Sequence, residues 1–422
     1  MTGPTGAPAA AAHPAGPADS PRAGGPLAED LDAYRLAVRG HLATEPAFKT
    51  FRARRYPSTE ARMADHARLE RLLYDAGWNR YGWPPAAGGL GGDERHRAVL
   101  YDELAAAGLP VPGQHMLLET LGPPIVRFAP ALAAAYLPAY LRGEEWWGQG
   151  FSEPEAGSDL ASLRCRARRD GDTYVVTGQK LWTSHGATAT RLVCLVRTGT
   201  PESRHRTLSM IMIDVDTPGV TIRPIAMANG DNELAEVFFD DVVVPASRLI
   251  GAEGQGWAVA MYLLQFERAM YAWLSAAEAL RRLRELRGQL TTRAAAGQEL
   301  PADAAPRLGE AYAHLVALRA RSADTVRRLA AGNTVGPEAS VDKVLLAGAE
   351  ICLHDLARDL LGDEFLFTAQ TTPGTGDDTD DVAQWRTDWW FSRSATILGG
   401  SAEVQRTILA DHVLGLPKEA KP

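Results

Sequence analysis

The run Leu263-Leu264-Gln265-Phe266-Glu267-Arg268-Ala269-Met270-Tyr271 sets a carboxylate among apolar residues. At helical spacing, Leu263, Leu264, Met270 and Tyr271 stand three and four residues to either side of Glu267 and share its flank. A carboxyl placed there loses water and its pKa rises toward neutrality, as a general base for a weakly acidic proton requires. The alternative is a structural Glu paired with a nearby Arg. Other carboxylates are weaker candidates. Glu153 and Glu155 sit in a turn, and Asp377, Asp378, Asp380 and Asp381 belong to an acidic, Gly-rich stretch (371–384). No His-Asp-Ser set or metal-spaced His cluster stands out, so no metal site is expected.

Three further constellations carry polar groups suited to a ligand. Gly150 to Asp159 reads GFSEPEAGSD, where Pro154 and Gly157 hold a tight turn that frees backbone N–H groups and the Ser152 hydroxyl. Gly178 to Ser184 reads GQKLWTS; strand alternation puts Trp182 and Ser184 on one face. Leu398 to Arg406 reads LGGSAEVQR and opens a helix at Ser401, whose hydroxyl can cap backbone N–H groups at an end that also attracts phosphate. Each has a plainer reading: a strand connection, a core Trp beside a solvent-facing Ser, and a simple helix cap.

The elements that must hold these groups come in the order helices, strands, helices. Leu27, Leu31, Tyr34 and Val38 recur as one helix face, and Ala61 to Tyr74 repeats the pattern and stops at Gly77. Gly82 to Gly92 (GWPPAAGGLGG) is predicted to be loop. Between Gly148 and Gly251 the segments TYVVTGQKLWTS, TRLVCLVRTG, LSMIMIDVD, VTIRPIAM and EVFFDDVVVP are short and rich in β-branched and aromatic residues. Turn signals at Asp170-Gly171-Asp172 and Thr217-Pro218-Gly219 separate them, which predicts a small antiparallel sheet or barrel. Trp257–Leu290, Ala305–Ala331, Glu338–Leu361 and Ser401–Leu414 are four long helix candidates. Strands do not alternate with helices and no GxGxxG follows a strand, so a doubly wound nucleotide-binding domain is disfavoured.

Composition limits the remaining classes. A chain of 422 residues fits two or three packed domains, and 45% hydrophobic with 23% charged residues is ordinary for a globular protein. A net charge of −8 gives no reason to expect nucleic acid or an anionic membrane as partner. Cys165, Cys194 and Cys352 are far apart and lack a CxxC pair, so neither a disulfide framework nor a zinc site is supported; a reducing cytoplasm is the simplest compartment. No apolar stretch is long enough to span a membrane. The Pro-, Gly- and Ala-rich start makes a poor signal peptide and reads as a disordered tail over residues 1–26. Lysine is scarce, at positions 49, 180, 343, 418 and 421 only.

The three motifs, with NELAEVFFDDVVVPASRLIGAEGQGW from Asn232 to Trp257, resemble the signatures of the acyl-CoA dehydrogenase family, in family order and spacing from Leu27 to Pro417. The resemblance implies an α+β, mostly α fold: an N-terminal helical domain (27–147), a middle β-barrel domain (148–251) and a C-terminal four-helix bundle (252–422). It implies FAD as cofactor, with Phe151, Ser152, Trp182 and Ser184 near the isoalloxazine, and Ser401 and Glu403 near the ribityl–pyrophosphate. Ser158 matches a position that contacts the pantetheine or thioester arm. Many relatives carry Thr in place of Ser184. The family's interfacial Arg-x-x-Phe-Gly is matched only by Arg293 and Gly297, in loop-like surroundings and without the aromatic. The family also implies a homotetramer or homodimer, and electron-transfer flavoprotein as a possible acceptor.

In many relatives the base is the Glu that precedes the Gly-Ser of the third motif. That position is Gly399, which cannot take a proton but whose backbone N–H can serve the thioester oxygen. A minority place the carboxylate on the first bundle helix before an Arg, which here is Glu267. The expected function is therefore α,β-dehydrogenation of an acyl thioester, on CoA or a carrier protein. Two alternatives stand beside it: a flavin oxidase or monooxygenase on the same scaffold, and a non-catalytic subunit of a hetero-oligomer.

Overall fold

The computed structural model describes residues 25–51, 56, 58–367 and 382–417. Residues 1–24 of the expected tail and 371–381 of the acidic stretch lie outside the described residues; Pro26 already opens a helix.

The N-terminal unit comprises α1 (Pro26–Glu29), α2 (Leu31–Thr44), α3 (Thr59–Asp75), α4 (Glu94–Ala106), α5 (Gln114–Phe128) and α6 (Pro130–Leu141). The single face predicted from Leu27 to Val38 is split into two helices. Asp30 is extended, and its side chain accepts from Ala33 N at 2.9 Å, so the second helix starts afresh from this cap. α3 is capped by Ser58 through Ala61 N and ends before Gly77, whose φ of 85° takes the chain out of the helix. Gly82 to Gly92 is loop apart from one 3₁₀ turn at Pro85–Ala87, closed by a Trp83–Gly91 bridge.

The middle unit is one sheet of eight strands: β1 (Trp147–Gly150), β2 (Arg166–Asp170), β3 (Thr173–Ser184), β4 (Arg191–Arg197), β5 (Leu208–Asp214), β6 (Val220–Pro224), β7 (Leu234–Pro245) and β8 (Leu249–Ile250). Its order is β6-β7-β3-β1-β4-β5-β8, and β2 pairs with both β3 and β4. Most pairs are antiparallel as predicted, but β1–β4 and β2–β4 are parallel. β1 is short, so β2 can reach the same two strands farther along and draw the sheet round on itself. A core of Val176, Cys194, Ile211, Val237 and Phe239 fills one side. Cys165, Cys194 and Cys352 are all free thiols.

The C-terminal unit holds α7 (Gly256–Ala295), α8 (Ala304–Ala330), α9 (Ala339–Leu361), α10 (Asp363–Leu366), α11 (Ala383–Ser392) and α12 (Ala402–His412). α7, at 40 residues, is about 60 Å long and ties the molecule together. Its start lies against β5: a Cβ on Gly256 would meet the Ser209 backbone at 2.5 Å. Farther along it packs on α4 and α5 through Phe266, Ala269 and Met270, and then on α8 and α9 through Ala276, Leu283 and Leu286. The groups that the sequence scatters are gathered along this helix.

One buried ion pair fastens the middle unit. Lys180, fully buried on β3, donates to Glu153 Oε1 at 2.7 Å and to the Phe151 carbonyl at 3.1 Å. Glu153 also accepts from Arg164 N and Cys165 N at 2.6 and 2.9 Å. Removing one partner strands the other in a dry site, at about 3–5 kcal/mol. Lys180→Met should therefore lower the melting temperature by several degrees, read by thermal denaturation. A melt matching wild type would show that the pair does not hold the turn.

Candidate active site

Glu267 is on α7 between Leu263 and Met270, both fully buried, and its Oε2 is shut from solvent with no hydrogen-bond partner. Burial raises its carboxyl above the usual carboxylate range, opposed by the Arg268 charge, the approach of the Gln149 side chain and the Lys343 charge. It forms no ion pair with Arg268, whose own pKa burial lowers and whose Nε is also unpaired. The geometry is thus that of a desolvated acid rather than of a structural Glu–Arg pair.

Gly399 explains how the carboxylate fits. Residue 399 has φ of +67°, and a Cβ there would stand 2.8 Å from Glu267 Oε1 and 3.6 Å from Lys343 Cε. The carboxylate arriving from α7 therefore occupies the ground where a side chain at 399 would begin. Lys343, on α9, donates to the Ala395 carbonyl at 2.7 Å and so pins the 395–400 segment to the bundle. Ser401 then caps α12, its hydroxyl accepting from Val404 N at 3.3 Å. Glu403 points to solvent beside Arg406.

The middle unit approaches from the other side. Ser184, at the end of β3, pairs directly with Gln149 of β1, and facing residues of an antiparallel pair share a side of the sheet. Ser184 is thereby held next to the residue that reaches Glu267. Plain alternation does not aim Trp182, because β3 is irregular against β7 between Lys180 and Thr183. Trp182 has φ of 59° and is 54% exposed, while Thr183 beside it is fully buried. The Gly150–Asp159 turn is laced to the same strand, with Leu181 N donating to the Ser152 carbonyl at 2.9 Å. Phe151 is buried below it, Ser152 is half-buried and Ser158 is exposed.

The structure thus brings Gln149, Ser184, Glu267, Lys343 and Gly399 to one place. Arg293 is placed differently from the sequence reading. It lies on the last turn of α7 rather than in a loop, and pairs with Glu364 of α10. The sequence reading missed Gln149 and Lys343. Gln149 carried no signal, being one polar residue in a four-residue strand. Lys343 did carry one, as one of five lysines and set in an apolar helical run. Among the described residues, no group of three or more His, Cys, Asp or Glu could hold a metal, and no helix is long and apolar enough to cross a membrane.

Three family models match in order: the N-terminal domain of acyl-CoA dehydrogenase over residues 29–144, the middle domain over 148–242 and the C-terminal domain over 254–414. The chain belongs to the acyl-CoA dehydrogenase family. It is an oxidoreductase acting on CH–CH groups, with the mostly α, α+β fold of that family. It is similar to acyl-CoA dehydrogenase IpdE1 of Mycobacterium tuberculosis, 36% identical over 93% of this chain and 100% of the relative. IpdE1 of Mycolicibacterium smegmatis is 33% identical, covering 93% and 99%. Among solved structures it resembles the Tcur3481-Tcur3483 steroid ACAD, at TM-score 0.76 and 26% identity over 92% of this chain and 98% of that one. The ChsE4-ChsE5 complex of Mycobacterium tuberculosis has a TM-score of 0.72 at 26% identity, covering 92% and 98%.

Members of this family are FAD-dependent, and the residues present fit such a group. An exposed Trp182 on an irregular strand offers an aromatic face, and the half-buried Ser184 lies two residues on. The start of α12 brings the N–H-rich end of a helix behind two glycines of positive φ, Gly399 and Gly400.

Desolvation of Glu267 has a sign in stability. A carboxyl whose folded pKa is raised opposes folding once ionised. The penalty is absent below its unfolded pKa and grows as pH rises through the folded value. Glu267→Gln should melt above wild type at about pH 8, with the gap closing toward about pH 4. A gap independent of pH would show that the carboxyl is not held neutral by burial.

Proposed function

We propose that this acyl-CoA dehydrogenase uses Glu267 as the base that removes the α proton of an acyl thioester. The observation that supports this most is the 2.8 Å approach of Glu267 Oε1 to the site of a Cβ on Gly399. The carboxylate reaches from α7 the place that a side chain at the third motif would fill. Its raised pKa suits a base working near neutrality, and the Gln149 contact and Lys343 charge favour its ionised form against burial. The Gly399 backbone N–H is assigned to the thioester oxygen, where charge builds as the proton leaves.

FAD, when bound, supplies the acceptor for the β hydride at N5. Trp182 and Ser184 are assigned to the isoalloxazine side, with Phe151 and Ser152 shaping the turn above β3. Ser158 is assigned to the pantetheine arm, and Ser401 and Glu403 to the ribityl–pyrophosphate side. CoA and carrier-protein thioesters present the same arm to these residues. An electron-transfer flavoprotein is the proposed acceptor of the electrons, and a homodimer or homotetramer the proposed assembly. Glu267 counts against the oxidase or monooxygenase reading, since those relatives usually lose the carboxylate.

A second reading, that a different subunit completes the assembly, is favoured by Arg293. This residue is engaged by Glu364 and is followed by Ala296 where the interfacial aromatic would stand. The ChsE4-ChsE5 complex shows by its name that such pairings exist among similar structures. Purification of the chain alone decides between the two: FAD retained in a homo-oligomer supports the first, and an FAD-free chain the second.

The mechanism is tested by anaerobic flavin bleaching with straight-chain, branched and steroid side-chain acyl thioesters. Glu267→Gln should reduce the bleaching rate by about 10²–10⁴-fold, the usual contribution of a general base. Equal rates in mutant and wild type would remove Glu267 from the role. FAD that no thioester bleaches would bring the oxidase or monooxygenase reading forward.

Gly399→Ala tests the neighbour. The added methyl would crowd Oε1 at a backbone angle that L residues rarely adopt. Bleaching should slow by at least about tenfold, because small displacements of a reacting group are expensive. A wild-type rate would mean that Glu267 works from elsewhere.

A further inference from the structure

The interior between α3 and α5 holds polar side chains that the proposed chemistry does not use. Glu70 of α3, and Gln114 and His115 of α5, are each at most 2% exposed. His115 Nε2 stands 3.4 Å from Glu70 Oε1, and the Gln114 amide approaches the His66 ring without hydrogen-bond geometry. Both carboxyl oxygens of Glu70, both ring nitrogens of His115 and both amide atoms of Gln114 are buried without a hydrogen-bond partner. One turn along α5, Glu119 shows how this fold treats a buried carboxylate with a purely structural role. Arg97 Nε binds its oxygens at 2.9 and 3.0 Å, and the Tyr101 hydroxyl donates to it at 2.5 Å. Buried polar atoms are nearly always paired, so three side chains with every polar atom unpaired, beside a carboxylate with both oxygens bonded, point to a group that arrives from outside.

The surroundings connect the cluster to the reacting end of the site. Tyr101 meets the His115 ring edge-on, with centroids 5.4 Å apart, and belongs to the apolar cluster of Phe266 and Met270. Those two residues flank Glu267 on α7. On the other side, the Tyr140 hydroxyl donates to the Gln114 carbonyl at 2.7 Å, and its ring packs on Trp147 at 4.6 Å. Trp147 is two residues before Gln149 on β1, a strand step of roughly 7 Å on the same face. Two chains of contacts therefore run from the cluster toward Glu267, one through Tyr101 and the Phe266–Met270 cluster and one through Tyr140 and Trp147.

We infer that Glu70, Gln114 and His115 form a binding site for a neutral oxygen function, a hydroxyl or ketone, carried by the acyl group remote from its thioester. This rests on the assignment of Glu267 as the base that marks the thioester end. The chemistry of the trio agrees with an uncharged guest. Burial pushes both groups toward their uncharged forms: it raises the Glu70 carboxyl well above its usual range and lowers His115 to about 3. A protonated carboxyl, a neutral imidazole and an amide offer donors and acceptors together, with no net charge to attract a carboxylate or an ammonium.

The test uses two CoA thioesters of one carbon skeleton, one bearing a remote hydroxyl or keto group and the other all hydrocarbon. With FAD-loaded enzyme, kcat/KM should favour the oxygenated thioester by at least about tenfold, chiefly through KM. Gln114→Leu and His115→Leu, checked for wild-type melting and FAD content, should bring the ratio to about one or invert it. Glu70→Gln, which keeps both donor and acceptor, should retain a preference. The same preference is read as relative affinity on Glu267→Gln enzyme by equilibrium dialysis, so that loss of the base assignment leaves this measurement intact. Equal affinity for the two thioesters would overturn the site and leave it to structural water only. A preference that survives both leucine variants would place the recognition elsewhere.

Discussion

The carboxylate of Glu267 can lie where it does only because residue 399 ends at its α-carbon. Two segments more than a hundred residues apart compete for one small volume, and the side chain from α7 fills it. The surrounding bundle follows from that contact. Lys343 holds the 395–400 segment down by its bond to Ala395, so the glycine backbone stays against the carboxylate. The same ammonium, with Gln149, partly offsets the desolvation that raises the acid's pKa. Burial that raises this acid's pKa and groups that favour its ionised form are both supplied by neighbouring elements.

The middle unit contributes by being rigid at its edges. The Lys180–Glu153 pair draws the Gly150–Asp159 turn onto β3, and the irregularity between Lys180 and Thr183 then turns Trp182 outward. A regular strand would present Trp182 by alternation alone. The observed one presents it by a left-handed residue, strain that a well-anchored strand can hold. Pairing of Ser184 with Gln149 carries this geometry through β1 to α7.

Polar groups in the N-terminal unit divide between a bonded carboxylate and an unbonded cluster. Both oxygens of Glu119 are bonded by Arg97 and Tyr101, whereas the side-chain polar atoms of Glu70, Gln114 and His115 make no hydrogen bond. Sequence inspection cannot separate the two sets, because both are polar residues at helical spacing within apolar runs.

Much of the fold was legible in the residues themselves. Hydrophobic period, glycine and proline punctuation and the shift to β-branched runs place the long helices and five of the eight strands, β3 to β7, since these signals are local. Glu267 stood out for the same reason: its apolar neighbours are three and four residues away on one helix. The break at Asp30 and the parallel pairing of β1 with β4 were not legible, because the first rests on one cap and the second on partners about 44 residues apart. Nor could spacing show that Gly399 meets Glu267, that Gln149 and Lys343 join them, or that Arg293 is spent on Glu364. Those are contacts between elements, settled by how α7, α9 and the sheet pack. The sequence by itself determined which residue types were available for chemistry and which elements would carry them. Only the tertiary structure decided which of them are dry, paired and adjacent, because desolvation and distance are properties of packing.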